Sequence, residues 1–299
     1  MKRIKVTIEA LTGFSSDFLG ETLFGQICWQ IRLKQGEEFL RNLLGAYGEG
    51  NPFLIVSDPF PSGCLPVPLF PTNFWDGVGI DLKELKRRGW IRLEELNNPI
   101  KKWKKLAVTG RESIQTTFFT HNTIDRITGT TGTGQFSPFG RSVSFYPKGT
   151  LQDIYLLLRE ELGEDVLTVL EDVGLLGFGK DASAGLGKFR LVSADEVKWK
   201  NVAGSYLTLS STDLSGLDLI KPTFYKTKVH FGRHGSLNAI SQNPFKKPLL
   251  LATRGAVLTP NDKDIHEWLG QGISNVSVSH PEAVHQGYSI VYPLGPVQI

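Results

Sequence analysis

The chain has 299 residues, 40% apolar and 21% charged, with a net charge of only +3, a composition that suits a globular protein of two modest domains. Two cysteines, Cys28 and Cys64, exclude a disulfide framework and sit in no metal-ligand spacing, so a reducing, cytoplasmic setting is expected. No apolar run has the length of a membrane span, and the alternating start Lys2-Arg3-Ile4-Lys5-Val6-Thr7-Ile8-Glu9 reads as a strand and not as a signal peptide.

Residues 3–11 place Ile4, Val6 and Ile8 on one face, the period of a half-buried strand. After a Gly/Ser/Asp loop at 12–20, Leu23, Phe24, Ile27, Cys28 and Ile31 form a helical stripe opened by Glu21 or Thr22. A second strand is expected at 53–57, and the Pro-rich stretch 59–71 must be extended or turn-like, carrying the chain out of the core. Residues 72–148 read as an insertion: short helical pieces, then a Thr/Gly-rich run from His121 through Asn122, Arg126 and Thr128 to Gly134. That run is too poor in apolar residues to be core, so it is a mobile loop or a hairpin arm that orders on a partner. Charge concentrates here. Residues 83–148 hold 13 Lys and Arg against 5 Asp and Glu, whereas 151–299 hold 14 against 16. The clusters Lys86-Arg87-Arg88 and Lys101-Lys102-Trp103-Lys104-Lys105 are either a nucleic-acid footprint or solvated helix faces.

Order resumes with a strand at 153–158, a helix at 164–173 and a strand at 189–192. The sequence β-α-β, insertion, β-α-β is that of the ferredoxin-like unit shared by RNA-recognition modules. The expected fold is therefore α+β: a ferredoxin-like, RRM-like domain over 1–197 with its insertion at about 72–148, then a degenerate, strand-rich ferredoxin-like domain over 198–299. In that second part strands are expected at 206–209, 224–231, 249–258 and 289–293, with no helix.

The most specific local feature is Gly177-Phe178-Gly179-Lys180-Asp181-Ala182-Ser183-Ala184-Gly185-Leu186-Gly187-Lys188. Glycines permit positive φ and close backbone approach. A loop with Gly177, Gly179, Gly185 and Gly187 can thus present amides, helped by Lys180, Ser183 and Lys188, to phosphate oxygens. The same glycines could simply turn the chain. A dinucleotide fingerprint or a P-loop fails on context, because the motif follows a helix and precedes a strand, and Asp181 stands where a P-loop needs Ser or Thr. No cofactor and no metal is expected.

This loop resembles the glycine-rich loop of the RAMP superfamily of CRISPR proteins. Gly20-Glu21-Thr22-Leu23-Phe24-Gly25-Gln26-Ile27-Cys28-Trp29 is similar to the first helix of the Cas-five-like Csm subunits that cap the 5′ tag of the guide RNA in type III-A complexes. Residues 122–134 resemble their thumb-like arm. Phe231-Gly232-Arg233-His234-Gly235-Ser236, Asn243-Pro244-Phe245-Lys246-Lys247-Pro248 and Thr253-Arg254-Gly255-Ala256-Val257 look like their C-terminal blocks. The resemblance implies RNA contacts at the loop residues, at His121, Asn122, Arg126 and Thr128, and at Arg233 and His234. It also implies a crRNA 5′ tag as ligand and two protein partners, the large polymerase-like subunit and a backbone subunit. One departure is that Ala182 and Ala184 occupy bridge positions where many RAMP loops carry Arg or Lys.

Some RAMP relatives cleave guide precursors without metal, using His or Tyr with Lys, and His121, His230, His234, Tyr225 and Lys228 are the candidates for such chemistry. His230 and His234 are four apart in an expected strand, roughly 13 Å at 3.3 Å per residue, too far to share an ion. His280-Pro281-Glu282-Ala283-Val284-His285 lacks the helical register of a zinc protease. No catalytic residue is assigned; a non-catalytic RNA binder is expected, with a metal-independent endoribonuclease and a pure protein scaffold as the rival readings.

Overall fold

A computed structural model describes residues 1–76, 81–110, 114–235, 238–239 and 243–297. The first strand, β1 (Lys2–Ala10), buries Ile4, Val6 and Ile8 as its alternation requires. Helix α1 (Gly20–Gln35) buries the expected stripe of Leu23, Phe24, Ile27, Cys28 and Ile31, each large apolar member contributing about 1.5–3 kcal/mol. It also buries Glu21, which no apolar pattern marks. The short α2 (Glu37–Gly45) follows a break at Gly36, whose φ of 94° a helix cannot continue through.

Strands β2 (Leu54–Val56), β3 (Phe60–Pro61) and β4 (Cys64–Pro66) then carry the chain through the Pro-rich stretch. Contrary to expectation, the chain does not leave the core here. Phe60, Leu65, Val67, Phe70, Phe74 and Trp75 are all buried, because Pro restricts backbone hydrogen bonding but not burial of the neighbouring side chains. The insertion contributes to the same core through Ile91 of β5 (Trp90–Arg92) and Trp103 of α4 (Ile100–Leu106), which follow α3 (Leu82–Arg87). Its distal part is a two-stranded arm, β6 (Gln115–His121) and β7 (Phe139–Phe145).

After the arm come β8 (Leu151–Leu158), α5 (Gly163–Leu176) and β9 (Phe189–Glu196). The main sheet runs β2-β8-β1-β9, every neighbour antiparallel, with β3 also on β8. Thus α1 connects β1 to β2 across β8, and α5 connects β8 to β9 across β1, the two helices packing against each other. Buried Asp153 of β8 holds the Pro-rich return: its carboxylate accepts from Thr7 Oγ1 (2.8 Å), Ser62 Oγ (2.9 Å) and Gly63 N–H (2.8 Å).

The second half contains β10 (Ser205–Thr208), β11 (Thr227–His230), β12 (Leu249–Ala252), β13 (Val257–Leu258), β14 (Trp268–Ile273) and β15 (His285–Gly295). A four-stranded antiparallel sheet has the order β13-β10-β15-β14, and β11 pairs with β12 apart from it. The expected strand at 249–258 is interrupted by a turn whose Gly255 has φ 84°, and β14 is a strand the pattern did not announce. The residues around 197 are an irregular link between β9 and β10, yet one buried cluster runs across it, joining Leu23 and Val56 to Leu207, Leu209, Tyr288 and Ile290. Gln286 of β15 completes β2: its side-chain amide donates to the Val56 carbonyl at 2.7 Å and accepts from the Val56 N–H at 2.9 Å, as a further strand would.

Candidate nucleic-acid interface

The buried stripe of α5 ends at Val173 and Gly174, and the chain enters the glycine-rich loop at Gly177, φ 105°. Gly179, Gly185 and Gly187 also have positive φ, as does Asp181 at 66°. Their tasks differ. A Cβ on Gly187 would collide with the Phe178 carbonyl and one on Gly177 with the Leu186 carbonyl, so these two let the limbs of the loop close on each other. Gly185 faces open space. Phe178 anchors the loop from below, fully buried, with its ring 4.2 Å from Phe18 and 6.3 Å from Phe14.

Residues 11–16 are stitched to this loop. The Gly187 N–H donates to the Gly13 carbonyl (2.8 Å), Leu11 N–H to the Lys188 carbonyl (2.8 Å), Lys188 N–H to Thr12 Oγ1 (2.9 Å) and Lys180 N–H to Ser16 Oγ (3.2 Å). The Ser15 hydroxyl donates to the Lys180 carbonyl. The amides of residues 184–188 are therefore engaged inside the fold, as are those of Gly177 and Phe178. Among the described residues, the loop amides without an intrachain hydrogen bond are those of Gly179, Asp181, Ala182 and Ser183. With the exposed side chains of Lys180 and Ser183 in the same loop, these amides are donors of the kind that bind an oxyanion.

The arm is fixed to the same place. β6 and β7 pair from Gln115↔Phe145 to His121↔Phe139, and Phe14 exchanges two backbone hydrogen bonds with Ser144 of β7 at 2.9 and 2.8 Å. Arg141 of β7 sets its Nε 2.9 Å from Asp181 Oδ2, the side chains 18% and 15% exposed, although the N–H does not point along a hydrogen-bond direction. Sequence reasoning missed Arg141. It brings to the loop a cation that Ala182 and Ala184 do not supply.

At the arm's tip Asp125 organises the turn, its carboxylate accepting from Ile127 N–H (2.8 Å) and its carbonyl from Gly129 N–H (2.8 Å). Asn122, Arg126 and Thr128 are exposed, and the His121 ring stacks on Phe139 at 5.5 Å. Phe118, Phe119, Ile124 and Ile127 stand in water, Ile127 at 95% exposure. So much apolar surface on one arm marks an interaction surface.

The remaining predicted residues lie apart. Arg233 is exposed, donates to the Ala239 carbonyl (2.8 Å) and lies over the Phe245 ring at 5.7 Å. His234 is buried; its Nε2 is 2.8 Å from Ser277 Oγ and its ring meets His280 edge-on at 4.8 Å. Burial, then Lys246 and His280, lowers its pKa. Among the described residues no hydrogen bond, ion pair or ring contact ties either to the glycine-rich loop or to the arm. Ser236 lies outside the described residues. Arg254 pairs with buried Asp58 at 2.8 Å and covers Trp90, lining a cavity of about 190 Å³ with Asp17, Tyr146 and Gln152. Burial, then Glu21, raises the Asp58 pKa.

Of the basic clusters, Lys101, Lys102 and Lys105 are exposed on α4, while Lys104 donates to the Arg88 carbonyl and Arg88 pairs with Glu84. Lys228 is 2.8 Å from Glu21 Oε1, and His230 Nδ1 3.8 Å from the same oxygen. Among the described residues no group of three or more His, Cys, Asp or Glu side chains is placed to hold a metal, and no helix is long and apolar enough to cross a membrane.

No protein-family model matches the sequence, and the search of curated proteins finds no match. Solved structures do match along the whole chain. The fold is similar to a chain in the crystal structure of a Csm1-Csm4 cassette in complex with cA4, at 14% identity and a TM-score of 0.62, covering 100% of both chains. A Csm1-Csm4 cassette in complex with pppApA matches at 17% identity and 0.60, covering 100% of this chain and 99% of the other. A Csm3-Csm4 subcomplex of the type III-A CRISPR-Cas interference complex matches at 14% and 0.60, covering 99% and 100%. Csm4 is the component common to these assemblies, and the chain shares a fold with the chains matched there.

Proposed function

We propose that this chain, built as a Csm4-like RAMP subunit, binds guide RNA without cutting it, as a component of a type III CRISPR effector complex. In this reading the β2-β8-β1-β9 sheet with α1 and α5 is a ferredoxin-like domain, and residues 198–299 form a degenerate relative of it. The glycine-rich loop holds phosphates of the crRNA 5′ tag. The arm lies along the RNA against the backbone subunit, and the body meets the large polymerase-like subunit. The observation that carries the reading is the union of loop, residues 11–16 and arm base into one platform, with the free amides of 181–183 and exposed Lys180 on the loop and Arg141 brought to it from β7. Phosphate contacts there position the RNA, and the exposed arm offers apolar side chains for a neighbour. The shared fold of Csm4 in Csm1- and Csm3-containing assemblies supports the two protein partners.

The absence of a cutting role is part of the proposal. His121 stacks in the arm while His234 is tied to Ser277, so these two candidates do not face one phosphodiester. The test is co-expression with the large and backbone subunits and a guide carrying its repeat-derived 5′ tag. The expected result is a stoichiometric complex that retains full-length tagged RNA, and purified chain that leaves repeat RNA intact in EDTA. Recovery of 2′,3′-cyclic phosphate products from the purified chain would replace this reading with the endoribonuclease.

A further inference from the structure

Strand β11 pairs on one side only, and its hydrogen bonds fix which way each backbone group points. The Lys226 carbonyl accepts from Thr253 N–H (2.8 Å), and Phe224 exchanges two hydrogen bonds with Val257 at 2.8 and 2.7 Å. With the register running from Thr227↔Ala252 to His230↔Leu249, the even-numbered residues face β12, and the alternation of an antiparallel ladder turns Tyr225, Thr227 and Val229 the other way. Ala252 shows the same phase, because its own N–H and carbonyl pair with Thr212 on the far side of β12 at 2.8 and 2.9 Å. Among the described residues, the backbone N–H and C=O groups of Tyr225, Thr227 and Val229 have no hydrogen-bond partner. The side chains of this open edge share one exposed face with Phe231, 75% exposed, and Leu250, 66% exposed and directly across from Val229. Natural edges are guarded by charge, Pro or a bulge, whereas the outward positions here carry Tyr, Thr and Val, all strand formers. Thr223 and Tyr225 also line a cavity of about 430 Å³ with Leu69, Pro71 and Thr72. Residues 219–261 hold seven Lys and Arg and no Asp or Glu, with Lys226, Arg233 and Lys247 exposed.

We infer that the open edge of β11 receives an extended segment of the large polymerase-like subunit, apolar at alternate positions and flanked by acidic residues, which adds a strand to the β11–β12 pair. Main-chain hydrogen bonds to Thr227 and Val229 would give affinity, and the exposed apolar face and the cavity would select the side chains. Charge decides against a second copy of this chain, since pairing β11 with itself would bring two wholly basic stretches together. RNA would use the cations but not the carbonyls of the edge, nor aliphatic Val229 and Leu250. The inference rests on the reading of the chain as a subunit of a type III complex, in which the loop is given to RNA and the arm to the backbone subunit. It assigns the remaining partner a surface and a mode of binding.

The test uses the full chain, the purified large subunit and hydrogen exchange read residue by residue. In the free chain the amides of Thr227 and Val229 should exchange at least tenfold faster than those of Lys228 and His230, and the large subunit should slow both by a similar factor. Val229→Pro removes an outward N–H while sparing the bonds to β12, so it should melt with the parent yet bind the large subunit at least tenfold more weakly. Val229→Ile, which keeps the N–H, should bind as the parent does. If the large subunit binds without protecting Thr227 and Val229, the inference is overturned and the proposed function stands, whether or not Val229→Pro folds. If the parent does not bind the large subunit at all, both fail. Complexes are also scored for tagged RNA: assembly through β11 without retained RNA sinks the RNA reading alone. Loss of RNA or of a self-dimer in Val229→Pro, with the large subunit still bound as by the parent, would give the edge to another occupant and overturn the inference.

Discussion

Gly185 and Gly187 look equivalent in the sequence, yet they make opposite predictions. Gly187→Ala sets a Cβ against the Phe178 carbonyl at φ 73° and should lower the melting temperature clearly. Gly185→Ala meets no atom and carries only the left-handed backbone penalty of about 1–2 kcal/mol, so the fold should persist. Thermal melts of the two variants check the difference, and equal losses would show that the loop closes otherwise. Arg141 and Asp181 invite a double-mutant cycle: held at 2.9 Å and mostly shielded from water, they should couple by about 0.5–3 kcal/mol in stability, whereas additive losses would mean the pair is incidental. The sequence announces the glycines through composition alone. It does not announce Arg141, because β7 and the loop are far apart in the chain and meet only through the Phe14–Ser144 bridge. The fate of His234 was equally hidden, since Ser277 and His280 reach it from a distant segment.

Among the elements, the arm is the one whose removal should leave the rest standing. Its strands carry exposed Phe118 and Phe119, and its inward anchors are Val143 and the bridge to Phe14. Replacing residues 122–138 by a two-residue Asn-Gly turn should therefore hold the melting temperature within about 2–4 °C, while pull-down of the backbone subunit is lost. Retained pull-down would assign that contact to another surface. Helix α4 calls for a narrower test than its composition suggests. Lys104 caps the Arg88 carbonyl, so only Lys101, Lys102 and Lys105 should be changed, and tag binding that keeps its salt slope would make α4 a solvated face. Periodicity revealed α1 and α5 and the alternation of β1, while β8 showed itself as an apolar run because it is buried on both faces. It failed for β14, whose Gly270 and Gly272 break any apolar alternation. Those glycines answer a tertiary demand, the close approach of the Gly287 carbonyl to one and of Tyr47 to the other.

For the whole molecule, acid should be the sensitive direction. His230, His234 and His285 all have pKa values lowered by burial, so below about pH 6.5 the unfolded chain binds protons that the native state refuses. Stability should thus be full above that value and fall as pH drops from 6.5 toward the native pKa values. Asp58, its pKa raised, acts in the reverse sense at lower pH, as it protonates more readily in the folded chain. Urea midpoints between pH 5 and 8 test this, and a flat profile would contradict the buried neutral histidines. A different consequence follows from Gln286. Its amide is what closes the outer edge of β2, a strand laid down early in the chain, so a ribosome must deliver nearly the whole sequence before that edge is shielded. Until then the nascent protein carries an open strand edge of the kind that recruits other strands. Shortened products of translation that end before β15 should therefore aggregate rather than persist as free half-proteins.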